Sequence, residues 1–397
     1  MMADRTMHAY CPDCGPMPVS HAVERWNATV DDWSATIFAP LEAIWNLIRP
    51  AVAWLKPGRL APPVFGALAA LGFGTIADRP DRTTTDRSRV LWEEAERRGI
   101  AMREFRPFGL PRNIFFATKN GDTRVFDGLP RPRLAHEAGL DWMDDKGAII
   151  RTFGRAGIPV PRGGDARTIR QAEAIFASIG GPVIVKPAIG SRSRHTYMHI
   201  TTLDALRHAF KKAREISRRV VVEEELPGFV FRITLIGGRI GGIMRREPPH
   251  VIGDGRRSLR ELIAAENENP LRKGPVFHAI EVDLAFVAAQ GHSLDTVPAA
   301  NAMVMLHPKV SRSFGASTTE VEDVHPDNRE LFLAIGRIVD DPLIGIDFMI
   351  EDMARSWRSS RCGVIECNSL PFIDLHHFPL KGPARNVAGM VWDLVFP

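Results

Sequence analysis

Apolar positions along this chain recur with two different periods, and the change of period divides it. Leu41, Ile44, Trp45, Ile48, Val52 and Leu55 keep helical spacing, which predicts a helix that Pro50 must kink or split. The longest apolar run, Val64 to Phe73, is interrupted by Gly66 and Gly72. At roughly ten residues it is about half of a membrane span. Val90 to Ile100 predicts a helix ended by a C′ glycine, Gly99. Ile114 to Phe126 predicts two strands joined at Asn120-Gly121, the pair that a type I′ hairpin turn demands.

From Asp144 onward helices and strands alternate densely. Helices are predicted over 146–155, 168–179, 202–216, 258–266, 328–339 and 384–396. Strands are predicted over 183–186, 220–223, 231–236, 239–245, 344–350 and 363–368. Residues 274–317 read as irregular, with strand-like pieces. The pattern therefore predicts an α+β chain in three parts: an N-terminal tail and helical region (1–82), a small α/β region (83–140) and a large module (141–397).

Composition narrows the function. The chain has 397 residues, enough for two or three domains, with 45% hydrophobic and 25% charged residues. The net charge of +4 is spread out, without an arginine stripe interleaved with aromatics, so no nucleic-acid partner is expected. The polar face of the 41–55 helix lacks a lysine cluster, so packing is expected there rather than a membrane surface. A dimer contact is the alternative, and homo-oligomers stay open. The N-terminus is polar and has no apolar h-region, so no signal peptide is expected. Four cysteines make no disulfide framework at this length, which fits reduced thiols and a cytoplasmic location. His8, Cys11, Cys14 and His21 have a spacing that could hold zinc, but a flexible metal-free tail is the favoured reading.

Two kinds of chemistry stand out. Lys186 ends the apolar strand of Gly-Gly-Pro-Val-Ile-Val-Lys-Pro, where an ammonium needs an anion to meet it. Lys146 opens a helix nearby in sequence, and two cations aimed at one place could hold phosphates. Asp347, Glu366 and Asn368 put three oxygen-bearing side chains on two predicted strands, as Mg²⁺ bridging a triphosphate would require. Glu223-Glu-Glu-Leu226-Pro-Gly228 follows another apolar strand and could read adenine or be a solvated acidic turn.

Read together, these stretches resemble the ATP-grasp superfamily, and most of all the ATP-grasp half of cyanophycin synthetases and their glutathione-synthetase-like relatives. The resemblance runs from about Asp144 to the C-terminus. Its most specific blocks are Arg245-Arg-Glu-Pro-Pro-His-Val-Ile-Gly-Asp-Gly255 and Glu322-Asp-Val-His-Pro-Asp-Asn328. It implies two α+β subdomains holding ATP between them, with Mg²⁺, or Mn²⁺ in its place. It implies a ligase that joins a carboxylate to an amine through an acyl phosphate, on an amino acid or short peptide. By position, Lys146 and Lys186 match phosphate-contacting lysines, and Glu223 and Leu226 the adenine hinge. Asp347, Glu366 and Asn368 match the metal ligands, and Arg232 and Arg245 arginines near the acyl phosphate, which with Lys186 would be catalytic. The phosphate lid departs from the family: Ser191-Arg192-Ser-Arg194-His195 replaces a glycine-rich stretch, so Ser191, Arg192 and Arg194 would contact the nucleotide through side chains. Val230 stands where a ribose-binding acid is usual. These departures motivate a competing reading as a non-catalytic ATP-binding protein, beside an ATP-grasp kinase. The chain has no Gly-x4-Gly-Lys-Ser/Thr, so cyanophycin polymerisation is not expected.

Overall fold

The computed structural model describes Cys11, His21 and residues 57–131, 141–190, 194–274, 279–310 and 314–397. The predicted 41–55 helix, His8, Cys14, Ser191 and Arg192 lie outside the described residues. The first described helix, α1 (Pro57–Ala70), covers part of the 64–73 apolar run. Then follow β1 (Gly74–Ala77), α2 (Asp86–Arg97), β2 (Ala101–Pro107), β3 (Ile114–Lys119) and β4 (Asp122–Asp127). These four strands form an antiparallel sheet in the order β1-β2-β3-β4. Asn120 and Gly121 have φ of 52° and 78°, the two left-handed residues of the predicted I′ turn. No described helix is long and apolar enough to cross a membrane.

A second four-stranded sheet follows. Its elements in chain order are α3 (Lys146–Arg155), β5 (Gly163–Ala166), α4 (Ile169–Ile179), β6 (Val183–Pro187), β7 (Tyr197–Ile200), α5 (Leu203–Ala213) and β8 (Val220–Glu224). Strand order is β5-β8-β6-β7. Side-chain caps start these helices where the sequence places them: Asp145, Thr168 and Thr202 accept from backbone N–H groups of the first turn of α3, α4 and α5.

The third sheet is the largest. It is built from β9 (Phe229–Ile236), β10 (Arg239–Glu247), and, beyond β11 (His250–Ile252), α6 (Leu259–Asn267), α7 (Leu284–Ala289) and β12 (Met303–Met305), from β13 (Ser317–Glu320), β14 (Leu343–Ile350) and β15 (Gly363–Asn368). Its order is β13-β10-β9-β14-β15. Helix α8 (Pro326–Val339) precedes β14 and packs Leu331, Phe332 and Ile335 onto Phe231, Ile233, Ile346 and Phe348. One face of this sheet is thus apolar and covered. The segment 250–305, predicted irregular beyond 274, adds a β11–β12 pair with its own small core around Leu259, Val287 and Leu306.

Helices α9 (Asp374–His377) and α10 (Val387–Val395) return the chain to its start. Trp392 and Val391 share a core with Leu91, Trp92 and Phe115, and Trp392 Nε1 donates to the Leu91 carbonyl at 2.9 Å. The first sheet and the chain's last helix are thereby packed as one body. His377 Nε2 accepts from the Ala388 N–H at 3.0 Å, satisfying an orphan donor at the start of α10. Burial, with His376 beside it, pushes His377 down to about 4.

Because the folded value lies below that of the free imidazole, the unfolded chain binds the extra proton between about pH 6.5 and 4. Stability should therefore fall by roughly 2–3 kcal/mol as pH drops through that window. Urea unfolding across the window checks this. His377→Gln, which keeps an acceptor and cannot titrate, should flatten the slope; an unchanged slope rules His377 out as its source.

Candidate active site

Strand parity sets which side chains share the other face of the large sheet. In register, Asp347 of β14 stands opposite Arg232 of β9 and Glu366 of β15, and Gly345 stands opposite Asn368. Directly paired residues point to one side. Arg232, Asp347, Glu366 and Asn368 therefore line a single polar face, as the sequence predicts for the three oxygen ligands.

The central contact is a forked ion pair. Arg232 Nε and Nη2 donate to the two Asp347 oxygens at 2.5 and 2.9 Å, with both residues buried. Burial alone would raise the Asp347 carboxyl, but the Arg232 guanidinium, helped by Arg246, holds it below the usual carboxylate range. Glu366 stands directly opposite Asp347 on the adjoining strand. Acids on neighbouring strands repel unless a cation stands with them, and here the chain's own arginines supply that charge. Gly345 is needed here because a Cβ would come within 2.8 Å of Pro371 and crowd Arg232.

Lys146 connects this face to the second sheet. Its Nζ donates to the Gly190 carbonyl at 2.7 Å, at the entrance to the lid, and lies 3.5 Å from Glu366 Oε1. Its backbone N–H donates to the Ala188 carbonyl at 3.1 Å. Lys186 is buried two residues before Ala188, where its Nζ donates to Glu223 Oε1 at 2.5 Å. The acidic Glu223–Glu225 run is not a solvated turn. Glu224 accepts from Arg162 and Arg361, and Glu225 from the His199 N–H. Leu226 is buried where the chain crosses between the two sheets. Arg194 is half-buried just beyond the lid residues that fall outside the description.

One predicted catalytic residue is displaced. Arg245 pairs in register with Phe231, whose face carries the apolar core, and its guanidinium stacks 3.7 Å from the Phe229 ring centre while bonding Glu247. It faces away from Asp347. The neighbouring Arg246 pairs with Val230, on the polar face, and its Nη1 lies 3.4 Å from Asp347 Oδ2. Counting alternation from Arg232 across the Gly237-Gly238 turn could have found it, except that a bulge between Ile240 and Gly242 shifts the count by one.

Sequence reasoning also missed a buried polar chain on the polar face. His376 Nε2 meets Thr234 Oγ1 at 2.8 Å, and His376 Nδ1 meets Glu320 Oε2 at 2.8 Å. Gly242 is obligatory beside it, because a Cβ there would overlap the His376 ring. The two blocks that carried the resemblance prove partly architectural. His325 caps α8, Asn328 donates to the carbonyls of Met353 and Arg355, and Asp254 closes a turn with Arg256 and Arg257.

Two antiparallel α+β sheets, with Lys146 reaching from one toward the other, define the class: the chain has the ATP-grasp fold. Its structure matches that of a bifunctional glutathione synthetase from Pasteurella multocida, with a TM-score of 0.58 at 21% identity, over 78% of this chain and 43% of that one. In sequence it is similar to the cyanophycin synthetase of Trichormus variabilis, 28% identical over 323 residues, or 78% of this chain. It is also similar to that of Crocosphaera subtropica, 32% identical over 253 residues, or 61% of this chain and 29% of the relative. The glutathione biosynthesis bifunctional protein GshAB of Mannheimia succiniciproducens is 28% identical over 300 residues, covering 71% of this chain and 38% of the relative. The chain spans about a third of the cyanophycin synthetases it matches, 34% for the first two. No protein-family profile matches it.

The forked pair yields a stability prediction. Arg232→Met strips a buried carboxylate of its forked partner, leaving only the longer Arg246 contact, and should cost about 3–5 kcal/mol, whereas the double variant Arg232→Met/Asp347→Leu should regain most of that. Urea unfolding of the two singles and the double checks it. Additive losses would mean that the two side chains are not energetically coupled.

Proposed function

We propose that this chain is an ATP-dependent carboxylate–amine ligase. The observation that carries the reading is the convergence of Lys146, Arg232, Arg246, Asp347, Glu366 and Asn368 at the join between the two sheets. The names of the relatives, cyanophycin synthetase and glutathione biosynthesis protein, support amide formation on an amino acid or peptide.

In this reading the nucleotide lies between the sheets, with Leu226 as an apolar wall for the base. Lys146 and Lys186 meet its phosphates, Lys186 exchanging Glu223 for a phosphate oxygen. A substrate carboxylate attacks the γ-phosphorus, giving an acyl phosphate and ADP. An amine then attacks the acyl carbon, phosphate leaves, and an amide remains. Arg232 and Arg246 offset charge on the transferred group, in surroundings where such charges interact strongly. Asp347, Glu366 and Asn368 form an all-oxygen donor set that fits a hard divalent cation, Asn368 through its carboxamide oxygen. Mg²⁺ bound there would supply neutralisation of phosphate oxygens. Arg194, with Ser191 and Arg192, would close on the phosphates in place of lid glycines.

The test is ADP release in the presence of Mg²⁺ and a panel of amino acids and short acidic peptides, with product masses. Amide plus phosphate is expected. A phosphorylated product would indicate a kinase, and ATP binding without turnover a protein that has lost its chemistry. Glu366→Gln should abolish turnover and shift Tm by only a few degrees.

A second comparison separates the two neighbouring arginines. Arg246→Ala should lower kcat about 100-fold, the scale of losing one charge-stabilising donor, while Arg245→Ala should stay within a few-fold of the parent. The opposite order would sink the assignment of faces.

A further inference from the structure

Away from the join, three side chains from distant parts of the sequence meet. His195 Nε2 lies 3.5 Å from Cys11 Sγ and 3.3 Å from His21 Nε2. The ligand-type atoms of the three residues all lie within 4.8 Å of one another. His195 is wholly buried, and Cys11 and His21 are half-buried.

The far sides of both rings face acceptors. His195 Nδ1 is 2.8 Å from the Lys212 carbonyl oxygen, and His21 Nδ1 is 3.5 Å from Glu215 Oε2. A carbonyl and a carboxylate only accept, so each Nδ1 carries a proton, and in the neutral rings each Nε2 then presents a lone pair. Two lone pairs facing each other, with a thiol alongside, repel unless a cation lies between them. Metal-bound histidines are oriented in this way, one ring nitrogen on the ion and the other donating to a carbonyl or carboxylate.

Two of the three separations are also those of a tetrahedral ion. Zinc–nitrogen bonds of about 2.0–2.1 Å and a zinc–sulfur bond of about 2.3 Å put ligand nitrogens about 3.3–3.4 Å apart, and nitrogen and sulfur about 3.5–3.6 Å apart. The observed separations are 3.3 and 3.5 Å. Thiolate and imidazole together suit zinc rather than the oxygen-seeking cation of the other site.

We propose that Cys11, His21 and His195 form a zinc site that fastens the N-terminal segment to the base of the lid. The tail read from sequence as metal-free thus gains a ligand from 174 residues further on, which no spacing motif could show. His195 has φ of 48°, a conformation that costs a non-glycine residue energy and persists where its surroundings hold it. It follows directly on Arg194, so the ion would fix one end of the segment that closes over phosphates in the reading above. The site itself does not depend on that reading.

The experiment is elemental analysis of the full chain, made without a histidine tag, after incubation with Zn(II) and gel filtration. About one zinc per chain is expected. The Co(II)-substituted protein should show tetrahedral d–d bands with a thiolate-to-cobalt charge-transfer band. Cys11→Ser should lose the charge-transfer band, and His195→Gln should bind at most about a tenth of an equivalent. Glu366→Gln, which removes a ligand of the other site, should keep its zinc, so the two sites fail separately. No zinc retained by the parent chain and no tetrahedral cobalt spectrum would overturn the proposal. So would full zinc content in both Cys11→Ser and His195→Gln.

Discussion

The Arg232–Asp347 pair is the constraint on which the large sheet depends. It stands at the middle of the two central strands, buried, with hydrogen bonds from two guanidinium nitrogens to both oxygens. A charge in that place is tolerable only when matched, and the forked geometry matches both carboxylate oxygens. Once that pair is fixed, the neighbouring groups have little freedom. Gly345 must stay small, Arg246 must approach from β10, and Glu366 must share the remaining field of Asp347. Lys146, Arg232 and Arg246 exceed Asp347 and Glu366 by one positive charge. Under the proposed function a bound triphosphate would reverse that balance, and a divalent cation at the oxygen donors of this face would restore it.

The elements that were legible in the sequence are those with a strong period and a chemical end-signal. The helix over 146–155 is found with its bounds because Asp145 caps it, and the strand over 363–368 because it alternates. Strand β5 is Gly-Gly-Asp-Ala, which has no strand propensity; it exists because the edge of β8 offers it hydrogen bonds. For the site, the sequence disclosed which residue types lie at strand ends but not which partners they meet. Lys186 and Glu223 were read as separate nucleotide contacts, yet they hold one another. Their strands are neighbours, and the pairing is diagonal, two positions off register. Arg245, matched by position to an arginine near the acyl phosphate, lies on the apolar face because one bulge exchanges the faces of the strand.

The first sheet matters to the site although it contributes none of its charged groups. Arg87, on α2, donates to the Leu370 carbonyl at 2.9 Å, inside the loop that follows Asn368. Asp374 adds charge attraction to the same guanidinium, which burial otherwise disfavours. Together with Trp392 under Leu91, this backs the end of β15 with a packed core. The loop that follows Glu366 and Asn368 is thus buttressed from behind by a packed core.

How the two sheets are joined follows from one glycine. Gly228 has φ of 105°, and a Cβ there would overlap the backbone of Ile350 and Glu351. The crossing from β8 to β9 is therefore pressed against the end of β14, the strand that carries Asp347. Lys146 makes a second link, reaching from Gly190 toward Glu366. The first link is a steric fit, and the second is a long cationic side chain whose partners a phosphate could displace. The forked pair needs neither link, because both of its partners lie within the large sheet.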